Sequence, residues 1–376
     1  MIKSALKLIF ALIVGMAIGL VAASAGIALF TDMTFSELFG KMASEGVGLW
    51  KPVIVGILAV IASFFILVTV HEAGHLVAGL LTGYKFVSFR VGNYTFIKID
   101  GKLKVKKFAV AGTGGQCLLS PPDVPLDKMP VTWYNLGGLL ANVLIGLLVL
   151  PLLFVNPHPL VAESVAIFLL LDAFLLILNG IPMKANGMGN DAYNALKLRK
   201  NLKALRGVVV QLKANAALQK GVRPKDMPDE WFEVEDNVDY SNPLELAPEI
   251  MLASRFLDTK EYDQSLSMFE NLISHKNEIV RIYVYEIECE LVYLYLLAGE
   301  IDKAKELYDK KLEAYVKTYQ KFSSAKKRLL CAVALRIDND LEKAQAIYDD
   351  LYAHRDEYLL QGEVASDLGL MQDLLK

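Results

Sequence analysis

The stretch FFILVTVHEAGHLVAGLLTGY, residues 64–84, decides how this chain is read. It sets two histidines and a glutamate at the end of a long apolar run, where an unpartnered polar group costs free energy. His71 and His75 are four residues apart, so on a helix they share one face, about a turn from each other. The run before them is long enough to cross a bilayer, which takes about 20 apolar residues. Working outward, four such spans are expected, near residues 5–30, 52–82, 136–155 and 160–182. The third and fourth are joined by a tight NPHP turn. The first also has signal-peptide features, with Lys3 and Lys7 ahead of it and ASA at 23–25, but its apolar run continues past that point and favours a retained span.

The chain has 376 residues, 54% of them hydrophobic, and a formal net charge of −3. Nearly all long uncharged runs lie before residue 190; residues from 197 onward read as an ordinary charged segment. The near-neutral balance gives no case for nucleic acid binding. Cys117, Cys289 and Cys331 are far apart without CxxC spacing, so they form neither a disulfide framework nor a thiolate zinc site and read as small buried side chains. Basic residues crowd the 83–131 loop and the stretch after the fourth span, whereas the 31–51 loop has only Lys41 and Lys51. By the positive-inside rule both termini and the HEAGH end of the second span face the cytoplasm. A multi-pass cell-membrane protein is expected, with a bacterial plasma membrane the favoured setting.

The spacing H-E-x-x-H suits two imidazole ligands on one Zn²⁺, with Glu72 beside them as general base. A third protein ligand is needed. His158, His275 and His354 are poorly placed, which leaves Asp172 within the fourth span and Asp191 just beyond it. Asp191 fits better, being level with the histidines, whereas Asp172 sits about two turns deeper by helix rise.

An HExxH in a membrane span, followed two spans later by N-x-x-P and an aspartate, resembles the site-2 protease family of intramembrane zinc metalloproteases over roughly residues 52–195. The resemblance implies His71, His75 and Asp191 as zinc ligands and Glu72 as the catalytic base. Asn179 and Pro182 match the break in the fourth span. Gly138 and Asn142 match a G-x-x-x-N on the span between, where the Asn is thought to hold substrate or the catalytic water; packing between helices is the other reading of Asn142. The chain departs from the pattern in reading Asp191-Ala192 after a glycine-rich insert, and Leu at 139.

The loop 84–119 alternates apolar and polar residues around IDGK, the mark of a β-hairpin. The resemblance implies an edge offered to an unwound substrate; a basic hairpin resting on anionic lipid is the other reading, and its GTGGQC segment has no assigned role. Residues 198–243 are expected to be a linker. Beyond them DTKEYDQSLSMFENLI, AGEIDKAKELYDKKLEAY and DNDLEKAQAIYDDLY place Phe269, Tyr308 and Tyr348 about 40 residues apart, which resembles a tetratricopeptide-like α-solenoid over 244–376. The fold class expected is mostly α: a helical membrane core with a small β-hairpin insert, plus a cytosolic repeat domain able to bind a protein partner. The function expected is a zinc endopeptidase acting on membrane-inserted peptides or single-span proteins. A non-catalytic peptide receptor or immunity protein is the alternative, and a metal transporter a third reading.

Overall fold

The computed structural model describes residues 50–99, 102–108, 114–155, 157–185 and 187–376, with the isolated positions 36, 37 and 40. The run 5–30, expected as the first span or a signal peptide, lies outside them. The described chain is mostly helical with a small antiparallel sheet, and it divides into two compact units.

The first unit is built on helices α1 (Trp50–Leu81), α2 (Val131–Val149) and α3 (Pro159–Gly180). All three segments are long and apolar enough to cross a membrane. Their side chains are apolar all round, and little of that surface is covered. In the most apolar window of the first, 11% is buried within the molecule, and 17% in each of the others. Such faces need a hydrocarbon surrounding. Pro52 in the first turn of α1 sacrifices no intrahelical hydrogen bond. At its other end, Gly83 takes a φ of +92° while Tyr84 N donates to Gly79 O at 3.0 Å, a glycine-dependent stop. His158 caps α3, its Nδ1 accepting from Leu160 N, which accounts for one histidine away from the motif.

The second unit holds the sheet and the C-terminal helices. Where a hairpin was expected, four strands form: β1 (Lys85–Val91), β2 (Tyr94–Ile99), β3 (Lys102–Lys107) and β4 (Gly115–Ser120), in the order β3-β2-β1-β4. The former GTGGQC segment supplies the start of β4, which pairs antiparallel with β1. That pairing is long-range, so local alternation does not announce it. Two short strands, β5 (Lys184–Ala185) and β6 (Met188–Gly189), and the helix α4 (Asp191–Lys197) follow.

The stretch expected as a linker is largely folded. Asn201 caps α5 (Leu202–Gln219), its side chain accepting from Ala204 N at 3.0 Å, and the helix buries Leu205, Val209 and Val210. It packs against β4 and against two later helices, α6 (Pro243–Thr259) and α13 (Gln361–Leu374). Between those come α7 (Tyr262–Ser274), α8 (Arg281–Ala298), α9 (Ile301–Leu307), α10 (Lys310–Tyr319), α11 (Ser324–Arg336) and α12 (Leu341–Ala353). Each of α6, α7 and α8 packs on the next, α8 packs on α11, and α11 packs on α12 and α13. Phe269 is fully buried in their shared core, and Tyr308 and Tyr348 pack against it, so the recurring aromatics serve packing. All three cysteines are buried and none is in a disulfide.

Candidate metal centre

Four small residues let α1 and α2 touch at the histidine motif. A Cβ on Gly74, the fourth residue of HEAGH, would lie 2.2 Å from Gly137 O, and one on Gly137 would lie 2.4 Å from Gly74 O. Ala78 and Ala141 extend the seam by one turn on each helix, each sitting within 2.7 Å of where the facing glycine's Cβ would be. This small-xxx-small pairing permits backbone contact between spans. It also presses the next residue of α2, Gly138, against the imidazoles. A Cβ there would stand 2.6 Å from both His71 Cε1 and His75 Nε2, and 2.7 Å from His71 Nε2. Only glycine leaves that space open.

The third side chain arrives from beyond α3. Asn190 Nδ2 donates to Leu178 O and Ile181 O, both at 2.6 Å, satisfying carbonyls that the helix end leaves open. Residue 190 is thereby tied to the end of the span, and Asp191 follows it. The glycine-rich insert between folds as the β5–β6 hairpin, with Gly187 at φ +77°.

Three ligand-type atoms converge. His71 Nε2 lies 2.8 Å from Asp191 Oδ2, His75 Nε2 lies 3.4 Å from the same oxygen, and the two Nε2 atoms are 3.2 Å apart. His75 is buried, and the side chains of His71 and Asp191 are 12% and 19% exposed. Among the described residues this is the one group of three His, Cys, Asp or Glu side chains placed to hold a metal ion. Donor atoms about 2.0–2.1 Å from a tetrahedral zinc stand about 3.3–3.4 Å apart by geometry. Two of the three separations already match, and the third needs about half an ångström of opening by the same geometry. Burial works to raise the Asp191 carboxyl, but the flanking imidazoles outweigh it and hold it down at about 2, so the carboxylate is ionised at neutral pH.

The proton inventory makes the same point. Asn142 Oδ1 lies 3.2 Å from His71 Nδ1, and an amide oxygen only accepts, so that ring proton belongs on Nδ1. A neutral imidazole in that tautomer would turn a lone pair toward Asp191, whereas an imidazolium would donate there. Lone pairs facing each other at 2.8 Å require a cation between them, a proton or a metal. The residues therefore fit zinc by donor chemistry, by spacing, and by the space kept free at Gly138.

The other expected residues fall as follows. Glu72 lies on the same turn of α1 as the histidines and is half-buried. Gly138 and Asn142, expected from the resemblance to meet substrate or water, both sit against His71. Asp172, the competing third ligand, stands apart from the converging trio and accepts from Asn142 Nδ2 at 2.8 Å. Asn179 Nδ2 donates to Leu175 O within its own helix. Sequence reasoning passed over Asn190 and Gly74; an Asn directly after a broken span and a Gly between two ligand positions were the available signals. No protein-family model, curated protein or solved structure matches the chain.

Proposed function

We propose that this chain is an intramembrane zinc endopeptidase that cleaves membrane-inserted peptides or single-span proteins. The observation that carries the reading is the convergence of His71 Nε2, His75 Nε2 and Asp191 Oδ2 within 3.4 Å, on helices apolar enough to cross a membrane. The resemblance of the HEAGH and N-x-x-P…D segments to site-2 proteases supports it. Zinc held by these three side chains would draw charge from a peptide carbonyl and bring the pKa of a nearby water toward neutrality. Glu72 takes that water's proton as the oxygen adds to the carbonyl carbon. It returns the proton to the nitrogen as the C–N bond breaks, leaving an amine and a carboxylic acid, whose own proton passes to the amine or to water. A helical substrate must first unwind, because its carbonyls are engaged. Among the described residues β3 is an edge strand of the sheet, which supports holding an unwound segment by strand addition.

In this reading both termini and the metal centre face the cytoplasm of a bacterial plasma membrane, and the helices from α6 onward form a tetratricopeptide-like array that binds a cytosolic protein. The test is peptidomics of membranes and medium from cells making wild type or Glu72→Gln, with zinc measured on both proteins. Peptides that vanish with Glu72→Gln while zinc is retained support the protease. Identical peptides with zinc retained favour a peptide receptor on a protease scaffold.

A further inference from the structure

One buried carboxylate has no part in the proposed reaction. Asp172 lies in the middle of α3 with 2% of its surface exposed, and its amide partner Asn142 on α2 has 1%. An ionisable group in an apolar span is costly and is usually functional. Two features of α2 make room for this one. Asn142 Nδ2 reaches Asp172 Oδ1 at 2.8 Å, and Gly146, one turn further along, clears the other oxygen, since a Cβ there would lie 2.5 Å from Oδ2.

The order of the contacts matters. A carboxylate only accepts hydrogen bonds, so it must face the NH₂ end of the Asn142 amide. That leaves Asn142 Oδ1 turned toward His71 Nδ1, 3.2 Å away. With the Nδ1 proton held there, His71 Nε2 keeps its lone pair for a metal. Without the carboxylate the amide is free to rotate by half a turn, and its NH₂ would then oppose the Nδ1 proton. We infer that Asp172 is a positioning residue for the metal centre: through Asn142 it sets the His71 tautomer that leaves Nε2 ready to bind zinc. This rests on the reading of His71, His75 and Asp191 as a zinc site.

The test uses the full-length protein in detergent, with zinc affinity measured by chelator competition for wild type, Asp172→Ala, Asn142→Ala and the double variant. Loss of such an outer partner typically weakens metal binding by about 10–100-fold, and that is expected for Asp172→Ala. The double variant should bind no more weakly than Asn142→Ala alone, because the effect of Asp172 passes through Asn142. Gly146→Ala, whose methyl crowds the carboxylate, should weaken zinc in the same direction and serves where Asp172→Ala does not fold. In zinc-free protein labelled with ¹⁵N-histidine, wild-type His71 should give the Nδ1–H tautomer, and Asp172→Ala a mixture. Wild-type affinity in both Asp172→Ala and Gly146→Ala, or losses that simply multiply in the double variant, would overturn the inference and leave a helix-packing hydrogen bond. A wild-type protein that binds no zinc would instead overturn the metal reading itself.

Discussion

Two of the clusters that take charge out of water are built differently. In the C-terminal helices, Arg328 Nε donates to Asp367 at 2.7 Å and its Nη2 to Glu290 at 2.6 Å, Ser324 donates to Asp367 at 2.6 Å, and Lys326 donates to Glu286 at 2.7 Å. Every contact joins a donor to an acceptor. At the apolar helices, His71, His75 and Asp191 bring three ligand-type atoms together beside a space that Gly138 keeps clear. Fixed donors meeting carboxylates hold structure together, whereas imidazoles and a carboxylate converging on one point are able to share a cation. Burial and distance are similar in both, so the chemistry of the groups tells them apart.

The comparison can be broken most severely at Gly138. Gly138→Ala places a methyl within 2.6–2.7 Å of both imidazoles. Zinc affinity of the purified protein should fall by more than about 100-fold, beyond the range for a lost outer partner, while the C-terminal helices melt as in wild type. Retained zinc would mean the space is not the metal's.

Next comes the cluster in the C-terminal helices. Arg328→Met strands Glu290 and Asp367, whose side chains are 15% and 7% exposed. Removing one partner of so buried a pair costs about 3–5 kcal/mol, read as lost stability in thermal or denaturant unfolding, with zinc content unchanged. Lys326→Met should cost clearly less, about 1 kcal/mol in the range of exposed pairs. Although Lys326 is fully buried, the Glu286 it leaves behind is 43% exposed and regains water. Equal losses would show that partner exposure does not set the cost.

The last test is a pH dependence. Burial, with Asp367, Glu286 and Glu290 nearby, raises the Glu363 carboxyl from 4.5 to about 8. Between those values the folded state keeps a proton that the unfolded chain has lost. Stability is therefore favoured below about 4.5 and falls as pH rises toward 8. Glu363→Gln should flatten that fall in melting temperature across the same window; an unchanged slope would assign it to another group.

How much of this was legible in the sequence depends on the range of the interaction. Apolar run length and the four-residue spacing of His71 and His75 are local signals, and both the helices and the shared face of the two histidines follow from them. Asp191 was preferred over Asp172 by its depth along the chain, and the converging atoms include Asp191. What stayed hidden depends on distant partners. Pairing of β4 with β1 bridges Lys85 to Ser120, so a hairpin pattern understated a four-stranded sheet. Helix α5 lay in a stretch taken for a linker, although Asn201 at its start is a capping signal that can be read locally. Gly138 looked like a motif residue for substrate, and its structural effect, space beside two imidazoles, follows only from the crossing at Gly74 and Gly137.

The most direct test of the central claim is zinc-edge X-ray absorption on the purified full-length protein, beside Asp191→Ala. The account predicts two imidazole nitrogens and a carboxylate oxygen at about 2.0–2.2 Å in wild type, with the carboxylate contribution lost in the variant. A wild-type protein without zinc, or a zinc shell unchanged by Asp191→Ala, would contradict it.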